Sequence, residues 1–169
     1  MLSDLTGIPG ETIIMAEDGC RIPTYAIPLV ALAQLYAVLA KPSSSPVPSL
    51  AVPLQRIAHA MLTHPTLIGG EGQFDTDLMK ALPGKVIAKF GAEGVFCVSL
   101  INHGIGICLK VDDGNGRAFA PAIAETLLQL QILTADERQA VETFRTKAVR
   151  SSYGDTVGVL APTFTLNMV

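Results

Sequence analysis

The sequence lacks any apolar run long enough to cross a membrane, which takes about 18 or more consecutive apolar residues. Its longest candidate, residues 27–40, is interrupted by Pro28 and Gln34. Basic residues do not cluster and the net charge is −3, which argues against a nucleic-acid partner because such a partner requires a basic face. The first residues show no signal-peptide pattern. We therefore expect a cytoplasmic protein that binds neither nucleic acid nor a membrane.

Cysteine is also scarce. Cys20, Cys97 and Cys108 are an odd number of cysteines without the spacing of a small disulfide framework, which favours free thiols in a reducing cytoplasm. For Cys97 and Cys108, which fall on successive predicted strands, a buried apolar role is the expectation, and the strand register decides whether they share a face. The three histidines lie far apart and make a poor catalytic or metal-binding set.

Familiar nucleophile motifs are missing as well. The sequence contains neither a G-x-S-x-G elbow nor a Ser-x-x-Lys motif, and the serines of residues 43–49 lie in a proline-rich loop. If the protein is an enzyme, we therefore expect its nucleophile to lie outside this sequence.

What the sequence does contain is apolar: 49% of its 169 residues are hydrophobic and only 16% are charged. The length suits one domain, residues 1–169, or a large part of one. The apolar excess predicts an interface, either with a second copy of the chain or with a missing part of the fold.

Hydrophobic periodicity predicts helices on both sides of three successive strands. Because the strands are joined by hairpins, they predict an antiparallel sheet with helices packed on it, which is the α+β class. The expected helices cover 25–39, 51–63, 75–80 with Asp75 or Thr76 as cap, 118–130, and 134–147 with Thr134 as cap; the expected strands cover 13–15, 85–89, 95–101, 105–111 and 157–160.

Two local patterns are candidates for chemistry. Asp18 and Cys20 stand two residues apart in a loop, where an acid and a thiol on one side could orient an ammonium group and bind a metal. The alternative is a turn aspartate and a small buried cysteine, and one cysteine alone is not a zinc site.

The second pattern is Lys89, which closes a strand beside Gly91, where a ligand could approach. The alternative is a solvated lysine on an edge strand with a bulge at Gly91.

One interpretation of the glycine-rich segment 68–72 is a phosphate-binding loop. It has no GKS or GKT ending and no preceding strand. We therefore expect a tight turn beneath a buried neighbour instead.

Several blocks of the sequence resemble the bacterial L-asparaginases of the Rhizobium type. They follow the family's order and span nearly the whole chain. The blocks are D-G-C-R-I-P at 18–23, A-I-P-L at 26–29, H-P at 64–65, G-G-E-G-Q-F-D-T at 69–76, K-F-G-A-E-G at 89–94, G-I-G-I at 104–107 and K-V-D-D-G at 110–114.

The resemblance implies a fold like that of serine β-lactamases and glutaminases, and hydrolysis of L-asparagine to aspartate and ammonia. It implies that Lys89 is the active-site lysine opposite the serine and that Cys20 is one ligand of a zinc ion. It also implies that Asp18 either binds the substrate's α-ammonium or positions the groups around the metal. The family's Ser-x-x-Lys nucleophile, its second serine and a Cys-x-x-Lys pair have no counterpart here. The chain therefore corresponds to the C-terminal half of the family's domain, and whether it is an enzyme by itself stays open.

Three hypotheses follow for function. The first is a portion of an asparaginase that is inactive without the N-terminal half. The second is a non-catalytic, oligomeric interaction module or a relic of that enzyme. The third, a β-lactam-binding protein sharing the K-x-G strand, ranks last because it leaves the segment around Asp18 unexplained.

Overall fold

The structure, a computed structural model, describes residues 1–167. These residues form six α-helices and seven strands, in the order one helix, two strands, three helices, three strands, two helices and two strands. The helices are α1 (Leu2–Thr6), α2 (Leu29–Ala40), α3 (Ala51–Thr63), α4 (Phe74–Ala81), α5 (Phe119–Gln129) and α6 (Ala135–Glu142); the strands are β1 (Ile14–Glu17), β2 (Pro23–Ala26), β3 (Val86–Gly91), β4 (Val95–Leu100), β5 (Ile105–Lys110), β6 (Lys147–Arg150) and β7 (Thr156–Leu160).

A three-stranded antiparallel sheet in the order β3–β4–β5 forms the centre of the fold. The register is continuous: Gly91 pairs with Val95 at one end of β3–β4, and Leu100 pairs with Ile105 across β4–β5. Both connections are short, as hairpin patterning predicts. The expected α+β class is confirmed, whereas the β-lactamase-like relationship stays a prediction.

One face of the sheet carries the main hydrophobic core. Alternate strand residues such as Phe96 and Val98 point to this face and are fully buried. Helices α4, α5 and α6 cover it with Leu78, Ile123 and Val141, none of which is exposed. Each such side chain contributes about 1.5–3 kcal/mol through burial, so this layer holds the sheet in place.

Helix α2 covers the opposite face of the sheet. Gly106 of β5 lies directly beneath this helix. The two backbones are so close there that a Cβ atom on residue 106 would come within 1.9 Å of the Ala33 carbonyl oxygen. The Ser99 hydroxyl on β4 donates a hydrogen bond of 2.7 Å to the Tyr36 carbonyl. The short distance at Gly106 means that only glycine fits where the helix and the strand approach most closely.

Two further hairpins, β1–β2 and β6–β7, each form a separate two-stranded sheet. Nearly all their residues are exposed. Their pairing corrects two expectations. The first long helix begins at Leu29 rather than Tyr25, because Tyr25 belongs to β2. The last helix ends at Glu142 rather than Lys147, because Lys147 begins β6.

Side chains near the helix ends decide where some of the helices begin and end. The Thr134 hydroxyl accepts the backbone N–H of Glu137, whose carboxylate accepts the backbone N–H of Thr134, which is a capping box. Helix α3 has the predicted bounds. Helix α4 begins one residue before Asp75, so neither Asp75 nor Thr76 is its N-cap. Within residues 1–167, no helix is both long and apolar enough to span a membrane.

Candidate active site

Lys89 lies near the end of β3 on the side of the sheet that α2 covers. Its neighbour across the sheet is Cys97 of β4, and cross-strand partners share a face. The lysine side chain is 37% exposed, so its amine reaches the surface while its stem remains on the sheet. The β3–β4 pairing continues through Gly91, so the bulge expected in the alternative interpretation is wrong. The other part of that alternative, a partly solvated lysine on an edge strand, is confirmed.

The partner of the Lys89 amine is a carboxylate that is completely buried. The amine nitrogen lies 3.8 Å from Asp75 Oδ2, and the Asp75 side chain has no exposed surface. The backbone N–H of Thr76 donates to Asp75 Oδ1 at 2.9 Å, and that of Phe90 donates to Oδ2 at 3.4 Å. A buried carboxylate is tolerated only with such partners, so Asp75 joins the start of α4 to the end of β3.

The glycine-rich loop explains how a carboxylate fits at this point. A Cβ atom on Gly69 would lie 2.0 Å from Asp75 Oδ1. The first glycine therefore provides room for the buried acid, and the expectation of a tight turn beneath a buried neighbour is confirmed. At the edge of the loop, Glu71 pairs with Lys80 of α4 at 2.7 Å.

An aromatic ring holds the lysine amine from a second direction. The Lys89 nitrogen lies 3.7 Å from the centroid of the Phe90 ring, within the range of a cation–π interaction. The amine is thus placed between the ring and the Asp75 carboxylate. A fixed ammonium group at a strand end is suited to stabilise negative charge that develops on a reacting oxygen.

A cavity of about 410 Å³ opens beside Asp75 and Phe90. Its walls combine aromatic rings, among them Phe119, with two groups of opposite charge, Glu93 and Lys147. Glu93 has a φ angle of 56°, a left-handed conformation that costs a non-glycine residue free energy and is frequent at functional sites. The cavity is large enough for a small polar substrate.

The other predicted site residues, Asp18 and Cys20, lie in the turn of the β1–β2 hairpin. Asp18 Oδ1 accepts the backbone N–H groups of Cys20 at 2.9 Å and Ile22 at 3.1 Å. Hydrogen bonding with Cys20 and Ile22 lowers the pKa of the Asp18 carboxyl, and the hydrogen bond to Asp18, together with the Asp18 charge, raises the pKa of the Cys20 thiol. Asp18 thus stabilises the hairpin turn, as the alternative interpretation of a turn aspartate predicted. Cys20 is exposed, so the alternative of a small buried cysteine is wrong.

The structure brings Lys89 together with Asp75 and not with the hairpin turn. Within residues 1–167, no hydrogen bond or ion pair joins Lys89 to Asp18 or Cys20, and none of these three residues lines the cavity beside Asp75. In the same range, no group of three or more His, Cys, Asp or Glu side chains could hold a metal ion. Cys20 therefore offers one ligand only, and the roles inferred by resemblance for Lys89, Asp18 and Cys20 stay predictions.

Asp75 was missed as a site residue, since the sequence presented it as a helix cap. The available signal was its position six residues after Gly69 in a loop with three glycines, since a glycine leaves room for another group to approach the backbone closely. Burial of the carboxylate itself results from tertiary packing and leaves no mark in the sequence.

The fold and site together define an α+β domain in which a strand-end lysine meets a buried carboxylate. The carboxylate residue Asp75 lines the adjoining cavity, and Lys89 does not. The L-asparaginase II family model matches residues 1–162, and the chain belongs to this family. No curated protein matches the chain.

Proposed function

We propose that the chain supplies part of the active site of an L-asparagine amidohydrolase, which converts asparagine to aspartate and ammonia. The observation that carries the proposal is the match of an L-asparaginase II model to residues 1–162. The placement of the Lys89 amine, 3.8 Å from the buried Asp75 carboxylate, supports it by providing a cation near the end of β3, an edge strand of the main sheet.

In the proposed mechanism, the nucleophile comes from a second polypeptide segment, because this sequence has no Ser-x-x-Lys motif. Lys89 stabilises the negative charge on the oxygen of the tetrahedral intermediate or assists proton transfer at the serine hydroxyl. Asp75 acts as a positioning residue for that amine. Asp18 lies in a hairpin turn away from Lys89 within the chain, so its proposed role, binding the α-ammonium group of asparagine, requires the second segment to complete the site around that turn.

A zinc ion is part of the same proposal. Zinc in proteins takes three or four protein ligands, and Cys20 contributes a single thiol in an exposed turn. The remaining ligands would come from the second segment, so we expect the isolated chain to bind zinc weakly. Metal analysis of the chain, alone and combined with the second segment, tests this. Cys20→Ser should lower the zinc content of the combined protein, and Cys108→Ser should not.

Ammonia release from L-asparagine tests the catalytic proposal. The chain alone should release ammonia at the rate of buffer, and mixing it with the Ser-x-x-Lys-bearing segment of a family member should produce turnover. In the mixture, Lys89→Ala should reduce kcat by about 100-fold or more, whereas Lys80→Ala, a surface lysine paired with Glu71, should leave kcat unchanged. Turnover by the chain alone at the rate of the mixture would contradict the proposal.

A second candidate function is a non-catalytic module that forms oligomers. The observation in its favour is the apolar surface of the β1–β2 hairpin and the start of α2. Ile14, Met15 and Val30 are 64–70% exposed, and exposed apolar patches of this kind mark interfaces. We propose that this surface packs against the second segment or a second copy. Sedimentation equilibrium distinguishes the two candidates, since a stable monomer without self-association would exclude the oligomeric module.

A further inference from the structure

Two cysteines face each other across the central sheet. Cys97 of β4 and Cys108 of β5 are register partners, so their side chains stand on the same face of the sheet. Their sulfur atoms are 3.3 Å apart and both are free thiols. Partners in an antiparallel pair have Cα atoms about 4.5–5.5 Å apart, and a disulfide accepts about 4.4–6.8 Å. The backbone therefore needs no movement for the two sulfur atoms to bond.

The two thiols differ in their surroundings. Cys97 is buried under α2, where Tyr36 lies beside it, and Cys108 is half-buried. The hydrogen bond between the two thiols raises the pKa of Cys97 and lowers the pKa of Cys108. Because the thiolate is the attacking form of cysteine, Cys108 is the more reactive and the more accessible member of the pair.

We propose that Cys97 and Cys108 form a redox-active site that closes to an intramolecular disulfide on reaction with a small-molecule disulfide. The Cys108 thiolate attacks one sulfur of the small disulfide, forming a mixed disulfide and releasing one thiolate. Cys97 then loses its proton and attacks the Cys108 sulfur, which releases the second small thiol. Two cysteine thiols are oxidised and one small disulfide is reduced to two thiols, and an excess of small thiol reverses the reaction.

The bond would fix the β4–β5 hairpin. It closes a loop of 12 residues, counted from 97 to 108 inclusive. For a loop of this size in a chain of this length, the expected rise in the melting temperature is about 5–10 °C. Lys89 is the next residue across the sheet from Cys97. The proposal itself does not depend on catalysis, so failure of the catalytic proposal leaves it unaffected.

The experiment uses the full chain carrying Cys20→Ser, so that Cys97 and Cys108 are its only thiols. The protein is equilibrated with mixtures of reduced and oxidised glutathione, the free thiols are blocked with a maleimide, and the mass is measured. We expect a monomer that has lost two hydrogens, takes up no maleimide and regains both thiols in excess reduced glutathione. Cleavage after Leu100, between the two cysteines, should leave two fragments linked until a reductant is added.

The melting temperature gives an independent readout. It should rise on oxidation of the Cys20→Ser protein and stay unchanged on the same treatment of the Cys20→Ser, Cys108→Ala protein. Three outcomes would overturn the proposal. They are two free thiols in pure oxidised glutathione, a persistent glutathione adduct on Cys108, and a disulfide-linked dimer as the main product. All three are read from the Cys20→Ser protein alone, so the test does not require the double variant to fold.

Discussion

Replacing Asp75 by asparagine removes one charge from the centre of the candidate site while preserving the shape of the side chain. In the wild-type protein, every group around the carboxylate is a donor: the backbone N–H groups of Thr76 and Phe90 and the ammonium of Lys89. Asparagine presents one acceptor and one donor, so in either orientation of the amide an NH₂ group faces another donor.

The expected decrease in the free energy of unfolding follows from the loss of one hydrogen bond that involves a charged group. Such a bond contributes about 1.5–3 kcal/mol, and no water reaches the fully buried side chain to replace it. We therefore expect Asp75→Asn to lower the free energy of unfolding by about 2–3 kcal/mol. For a chain of this length, this corresponds to a decrease in melting temperature of about 4–12 °C.

Urea unfolding followed by circular dichroism measures the difference directly. The matched control is Asp77→Asn, which makes the same chemical change two residues later in α4, on a side chain that is only partly buried. We expect the control to cost less than about 0.5 kcal/mol. Equal effects of the two substitutions, or an Asp75→Asn effect under about 0.5 kcal/mol, would refute the reasoning that the carboxylate holds α4 and β3 together.

Three further substitutions test the fold. Gly106→Ala should cost about 1–3 kcal/mol or more in urea unfolding, because the new Cβ atom would meet the Ala33 carbonyl at 1.9 Å and displace α2. Thr134→Ala should cost about 0.5–2 kcal/mol in the same assay through loss of the capping box. Glu125→Gln should lower the melting temperature at neutral pH, because hydrogen bonds from Gln129 and Arg145 lower the pKa of Glu125. Since the depressed pKa belongs to the folded state, this stabilisation is present above the unfolded pKa, and it should vanish as pH falls through the folded pKa.

Matched controls separate these effects from general damage. Gly158→Ala lies in β7, where the nearest atom to a new Cβ is a side-chain carbon 3.9 Å away, so it should be tolerated. Thr143→Ala, just beyond the other end of α6, should cost less than Thr134→Ala. Glu142→Gln changes a more exposed partner of Arg145, so at neutral pH it should lower the melting temperature less than Glu125→Gln does. A pH-independent Glu125→Gln effect would contradict the ion-pair explanation.

Short-range chemistry made several elements readable from the sequence. The bounds of α3 and the Thr134 cap follow from proline, threonine and glutamate at fixed offsets. The β4–β5 hairpin follows from two apolar runs around a polar turn. These features depend on neighbours within a few residues, which is why the pattern predicts them. By contrast, Lys147 was assigned to a helix because only its pairing with β7 makes it a strand residue.

The α+β class, the family and the candidate lysine could be predicted from the amino-acid sequence, because strand patterning, block order and the K-F-G segment are all local. Tertiary structure alone decided that Asp75 is the partner of Lys89, that Gly69 provides its space, and that the Cys97 and Cys108 sulfur atoms lie 3.3 Å apart. These contacts depend on strand register and on burial, which local sequence does not specify. A shift of one residue between strands would move a side chain to the other face, and no local pattern in the chain specifies which distant backbone will come to surround a carboxylate.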